Sequence, residues 1–167
     1  MRSFAIDEFE KTLRLDAQFL KSWNNLLETY EKEKSFKRAF HFFSEVTPPE
    51  KVSYKIGKFC FKAKDYAAAL LWFKKPNATP KYPHRAYYWS GKSYKKLGNP
   101  EKAIREFQMA VELNPDYFYA WKQLGMTFID RKDTTNALNA LRRARDLMSE
   151  DTDVSMFLET LRSPGEK

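Results

Sequence analysis

Tyr87-x-x-Ser90-Gly91-x-x-Tyr94 and Trp121-x-x-Leu124-Gly125-x-x-Phe128 are one pattern written twice, the second copy at an offset of 34 in the numbering. The stretches that follow repeat as well. Ala103-x-x-x-Phe107-x-x-Ala110 becomes Ala137-x-x-x-Leu141-x-x-Ala144 at the same offset. Glycine and alanine recur where two helices must cross closely, and the large residues Tyr87, Tyr94, Phe107, Trp121 and Phe128 fill the space between them.

The ruler extends towards the N-terminus. Ser53-x-x-Ile56-Gly57-x-x-Cys60 followed by Ala69-x-x-x-Phe73 is a third unit, and the step from Gly57 to Gly91 equals that from Gly91 to Gly125. Trp23-x-x-Leu26-Leu27-x-x-Tyr30 followed by Ala39-x-x-x-Phe43 is an earlier one, but the step from Ala39 to Ala69 is shorter by about one helical turn. Thr47-Pro48-Pro49 accounts for that shortened step, because prolines end helices. A period of 34 carried by these residues resembles the tetratricopeptide repeat (TPR), a helix–turn–helix unit that stacks with its neighbours. The resemblance implies an all-α, right-handed superhelix, an α-solenoid, and a binding surface in place of an active site. Under it, Gly98-Asn99 and Lys132-Asp133 read as turns inside units, and Asn114-Pro115 as the break between two of them.

The expected organisation is a single repeat domain over 1–167. Residues 1–17 hold a half repeat, because Ala5-x-x-x-Phe9 precedes Ala39-x-x-x-Phe43 by the full period. Units follow at 20–49, 50–83, 84–117 and 118–151, then a capping helix over 152–163 marked by Val154, Phe157, Leu158 and Leu161, and a tail at 164–167. The N-terminal half repeat reads either as a natural cap or as the edge of a segment cut from a longer array. In the third unit Pro76 stands where a small helical residue is expected, so its second helix should stop near Lys75. The proline-rich stretch to Pro83 then reads as a bridge between helices, a hinge or a ligand-contacting edge. Leu70-Leu71-Trp72-Phe73 is apolar all round a helix, so Trp72 is expected either to be covered, with Tyr82 a candidate, or to lie exposed.

Composition agrees with a helical array. Hydrophobic residues make up 43% of the 167 and supply a core, while only 5 glycines are present. No run of 18 apolar residues occurs, and Met1-Arg2-Ser3-Phe4-Ala5-Ile6-Asp7 lacks the apolar stretch of a secretion signal. The single cysteine, Cys60, falls at a core position and reads as a small buried hydrophobe. Without a secretion signal the sequon Asn77-Ala78-Thr79 carries little weight, and a cytoplasmic location is expected.

Catalysis finds no support in the residues. The two histidines, His41 and His84, sit in no metal-binding spacing, and no glycine-rich phosphate loop is present. Carboxylates such as Glu101 and Glu106 lie beside lysines at helical surface spacing. The expectation is a non-enzymatic protein without cofactor or metal.

The surface is more informative, because the net charge is +8. In the family that this chain resembles, the first helix of each unit lines a concave groove that holds extended peptides. Carried over, the groove-facing positions are Lys21, Asn24, Glu28 and Glu31 in the earliest full unit. The next units place Lys51, Tyr54, Lys58 and Phe61, then Arg85, Tyr88, Lys92 and Lys95, then Tyr119, Lys122, Met126 and Ile129. Six cations interleaved with three tyrosines would draw an acidic ligand by charge and hold it by contact area. A chaperone-tail clamp of the kind known in the family is not expected: of Asn24, Glu28, Lys55, Arg85 and Trp89, only Arg85 has the right chemistry. The leading reading is a scaffold or adaptor for an acidic or extended partner segment. Single-stranded nucleic acid and end-to-end self-association are the alternatives, the protein otherwise being a monomer.

Overall fold

The computed structural model describes residues 4–75 and 82–162, and these form ten α-helices and one 3-10 turn, with no strand among them. Contacts divide the chain into two compact units, Met1–Lys81 and Tyr82–Lys167. The first holds α1 (Phe4–Leu15), α2 (Leu20–Lys32), α3 (Phe36–Glu45), the 3-10 turn Glu50–Val52, α4 (Ser53–Lys62) and α5 (Tyr66–Phe73). The second holds α6 (Pro83–Lys96), α7 (Pro100–Leu113), α8 (Phe118–Asp130), α9 (Thr134–Leu147) and α10 (Thr152–Arg162).

Three hairpins, α4–α5, α6–α7 and α8–α9, close on the same contact. A Cβ built on Gly57 would stand 2.5 Å from the Phe73 ring; on Gly91, 2.6 Å from Phe107; on Gly125, 2.6 Å from Leu141. Each large residue lies 16 positions after its glycine and is buried. The hairpin α2–α3 departs from this rule because Leu27 occupies the glycine position. Here α2 packs along more of α1 than of α3. Phe43, expected as the core aromatic, is only half-buried, and its neighbour Phe42 is sealed instead. Rings fill the wedge: Trp23 lies 5.7 Å from Phe42 and 5.9 Å from Phe43, and Phe59 of α4 approaches Phe36 to 5.1 Å.

The turns inside the hairpins share one geometry. Lys34, Lys64, Gly98 and Lys132 have positive φ (54°, 65°, 72° and 60°). The following N–H in each case reaches back to close the helix end, as Asn99 does to Tyr94 and Asp133 to Phe128. In three of the four turns that same following residue caps the next helix. Asp65, Asn99 and Asp133 accept through side-chain oxygens from the backbone N–H groups of Ala68, Lys102 and Asn136.

Helix α1 is fastened by charge. It buries Ile6, Leu13 and the carboxylate of Glu10, whereas Ala5 is exposed and Phe9 half-buried. Arg38 of α3 grips Glu10 with two hydrogen bonds (2.7 and 2.8 Å) and reaches Asp7 at 2.5 Å, while the Tyr30 hydroxyl donates to Glu10. Burial opposes the charge on Glu10, but Arg38 and Tyr30 outweigh it and hold the carboxyl below the usual glutamate range.

Helix α5 ends at Phe73, just before the proline that the sequence marks as a stop. Trp72 is half-buried, with the Lys75 ammonium 4.0 Å from its ring centre. Of the proline-rich stretch, residues 76–81 lie outside the described residues, as do the sequon and the C-terminal tail.

Nothing lies within 4 Å of a Cβ on Gly98, so the cost of Gly98→Ala is the left-handed backbone at φ 72° alone, about 1 kcal/mol; Lys132→Gly should stabilise by about 0.5–1 kcal/mol, both read by urea unfolding. Because the Glu10 carboxyl is depressed in the fold, its contribution is complete above the ordinary glutamate pKa, about 4.3, and is lost as the pH falls through the depressed value. The protection of α1 amides against hydrogen exchange, relative to the intrinsic rate at each pH, should therefore fall in acid ahead of the other helices, and Glu10→Gln should abolish that pH step.

Candidate ligand-binding surface

The first helices also carry the side chains expected to meet a ligand. In α4, Tyr54 and Lys58 are one turn apart, and the Lys58 ammonium lies 5.9 Å from the Tyr54 ring centre. In α6 the pair recurs one full repeat on: the Lys92 ammonium lies 5.5 Å from Tyr88 and 4.3 Å from Trp89. Tyr54 also meets Phe73 (6.0 Å), and Phe61 meets Tyr66 (5.1 Å). Lys51 is exposed at the 3-10 turn, beside a cleft formed by the α1–α2 connection and Pro48-Pro49.

In the second unit an aromatic strip joins α6 to α8. Tyr88 is buried and contacts Tyr117 (5.4 Å) and Tyr119 (6.5 Å), and Tyr119 is 53% exposed. Arg85 is exposed, its guanidinium 4.6 Å from the Tyr82 ring. His84 is buried against Tyr117 at 4.8 Å; burial and the neighbouring Arg85 push its pKa below the ordinary histidine value, which keeps the ring neutral near pH 7.

Lys95 and Lys122, both among the expected cations, have intramolecular carboxylates. Lys95 pairs with Asp130 at 2.8 Å. Lys122 binds Asp151 through both oxygens at 2.9 Å and Asp153 at 2.8 Å. The Lys122 side chain is 15% exposed and that of Asp151 17%. Burial works against the Lys122 charge, yet Asp153 and Asp151 hold its pKa above the usual lysine range. Asp151 also caps α10 by accepting from the Val154 N–H at 2.9 Å. Lys122 therefore fastens α10 to α8. Met126 is half-buried, its sulfur accepting from the Gln123 amide at 3.8 Å.

Asn24, Glu28, Glu31 and Lys58, expected to face the groove, meet in a cleft of 610 Å³ between α2 and α4 that also holds Lys55 and Lys62, which were not among the expected positions. Asn24, Glu28 and Glu31 line one wall and Lys55, Lys58 and Lys62 the other, above a floor of Leu27 and Phe59. Lys55 and Lys62 were discoverable: each follows its partner, Asn24 or Glu31, by one position more than the shortened period.

Cys60 is buried and its thiol is pushed up to about 12 by burial, so no reactive thiolate is available near neutral pH. No helix among the described residues is long and apolar enough to cross a membrane, and no cluster of metal-ligating side chains occurs among them.

The family profile described as Tetratricopeptide repeat matches residues 84–117, the α6–α7 hairpin. This is a tetratricopeptide-repeat fold. A stretch of 56 residues is 39% identical to the Tetratricopeptide repeat domain-containing protein PYG7, chloroplastic, of Arabidopsis thaliana. That match covers 34% of this chain and 19% of PYG7, so the chain spans about a fifth of that relative. Among solved TPR structures, YrrB, described as a TPR protein with an unusual peptide-binding site, is similar at a TM-score of 0.72. It shares 18% identity over 93% of this chain and 81% of its own. The first TPR domain of Spaghetti (RPAP3), bound to the HSP90 peptide SRMEEVD, is similar at a TM-score of 0.63 with 19% identity, over 68% of this chain and 90% of that one. At these identities the likeness concerns the TPR fold.

Lys122→Glu should thus destabilise the second unit by about 2 kcal/mol, since it sets a third carboxylate beside Asp151 and Asp153. Lys51→Glu, at an exposed lysine, should stay within about 0.5 kcal/mol of wild type. Thermal unfolding monitored by circular dichroism distinguishes the two.

Proposed function

We propose that this protein is a non-enzymatic protein-interaction module that holds an acidic, extended segment of a partner protein through its first helices, α4 in the first unit and α6 and α8 in the second. The observation that carries this reading is the repeated Tyr–Lys pair. Tyr54/Lys58 and Tyr88/Lys92 occupy equivalent positions, and in both the ammonium rests over the ring. The aromatic ring supports the lysine charge, and half-buried Tyr54 also offers contact area to the aliphatic part of a bound acidic residue. Arg85 and the exposed Tyr119 extend the same chemistry in the second unit. Peptide binding named in the descriptions of YrrB and the Spaghetti domain supports a peptide as the ligand class. Lys122, tied to Asp151 and Asp153, serves the fold, so the ligand's charge is read mainly by Lys51, Lys58, Arg85 and Lys92.

A selection of random 12-residue peptides on the immobilised wild-type protein tests this. Enriched peptides should be rich in Asp and Glu. The double variant Lys58→Glu/Lys92→Glu should bind them at least about tenfold more weakly, and affinity should fall as salt rises. Peptides without acidic enrichment, or bound equally by the double variant, would overturn the reading. Tight binding of a 15-nucleotide single-stranded RNA that competes with no peptide would replace it with nucleic-acid binding.

A further inference from the structure

The α2–α4 cleft has three levels, and only two are closed. At one end Lys55 donates to the Asn24 side-chain oxygen at 2.7 Å, and at the other Lys62 pairs with Glu31. Between them, on the same faces, stand Glu28 and Lys58. Lys58 turns back over the Tyr54 ring. Glu28 is left exposed, with no hydrogen bond or ion pair among the described residues, although Lys32 one turn on lines the same cleft. The floor beneath is apolar and buried: Leu27 is 5% and Phe59 2% exposed.

Glu28 also breaks a pattern. Its counterparts in the next two first helices are Lys58, one shortened step on, and Lys92, one full step further. One position in the register thus changes sign from α2 to α4. A uniformly acidic ligand would meet lysines along the α4 wall and a carboxylate at this level of the α2 wall. Like charges brought together there lose affinity, whereas an opposite charge gains it. The aliphatic stem of a lysine or arginine would lie on Leu27 and Phe59 while its head reaches Glu28.

We infer that the partner's acidic segment carries a basic residue, lysine or arginine, that seats in the α2–α4 cleft against Glu28. The inference rests on the proposed reading of an acidic ligand and adds to it the charge that interrupts the acidic run. Glu28 then acts as a specificity determinant: it discriminates among acidic segments by where their single cation falls.

The test uses the full chain and a fluorescein-labelled acidic 12-mer chosen from the selection above. A series of twelve derivatives places one lysine at each position in turn, and fluorescence anisotropy measures each affinity. One placement, or two adjacent ones, should bind wild type about fivefold more tightly than the lysine-free parent. Glu28→Gln should erase that gain, and Glu28→Lys should turn it into a loss. Glu28 makes no ion pair among the described residues, so both variants should unfold as wild type does. If no placement gains affinity, or the gain survives Glu28→Gln, while the parent peptide remains sensitive to Lys58→Glu/Lys92→Glu, the inference falls and the acidic-ligand reading stands. If that double variant leaves parent binding unchanged, both fall.

Discussion

Everything in this molecule hangs on a small residue set against a large one, 16 positions apart. Gly57 with Phe73, Gly91 with Phe107 and Gly125 with Leu141 each bring two helices close enough to exclude a Cβ. That contact commits one face of the first helix to its hairpin partner. Tyr54 and Tyr88 pack beside that contact on the same rings, 6.0 Å from Phe73 and 6.1 Å from Phe107, and the lysine one turn on lies over each tyrosine at the same register. Where leucine replaces the glycine, at Leu27, the hairpin opens and aromatic rings from α2, α3 and α4 take up the space. The placing of the Tyr–Lys pairs is thus tied to how the hairpins close.

A second layer of interactions runs between successive first helices within each unit. Asn24–Lys55 and Glu31–Lys62 link α2 to α4, Lys95–Asp130 acts within the pair α6–α8, and Lys122 links α8 to Asp151 and Asp153 at α10. Such exposed links are individually weak, but they decide which charges are available to a partner. A lysine count taken from the surface therefore overstates the charge that a ligand meets. Lys122 is spent on the fold, and Glu28 adds a negative point where repetition alone would place a positive one.

The hairpin closure was legible in the sequence, because Gly57, Gly91 and Gly125 and their partners recur at a fixed interval and glycine has few other uses inside a helix. The turns at Gly98 and Lys132 were legible for a similar reason, although a lysine in the left-handed region gives little warning of itself. Other features were hidden. Phe42 and Phe43 are adjacent and chemically alike, and only the wedge set by Leu27 decides which is sealed. Glu10 reads as a solvated residue until Arg38 and Tyr30, both on other helices, converge on it. Lys122 meets its carboxylates at Asp151 and Asp153, a separation at which no local pattern speaks.

Amide chemical-shift mapping during titration with a selected acidic 12-mer tests the central claim most directly, because it reports the occupied face without any substitution. The account predicts that the largest shifts fall on α4, α6 and α8, centred on Tyr54, Lys58, Tyr88 and Lys92, with Glu28 of α2 also affected. Shifts concentrated on α5, α7 and α9 would contradict it, and would assign the ligand to the second helices of the hairpins.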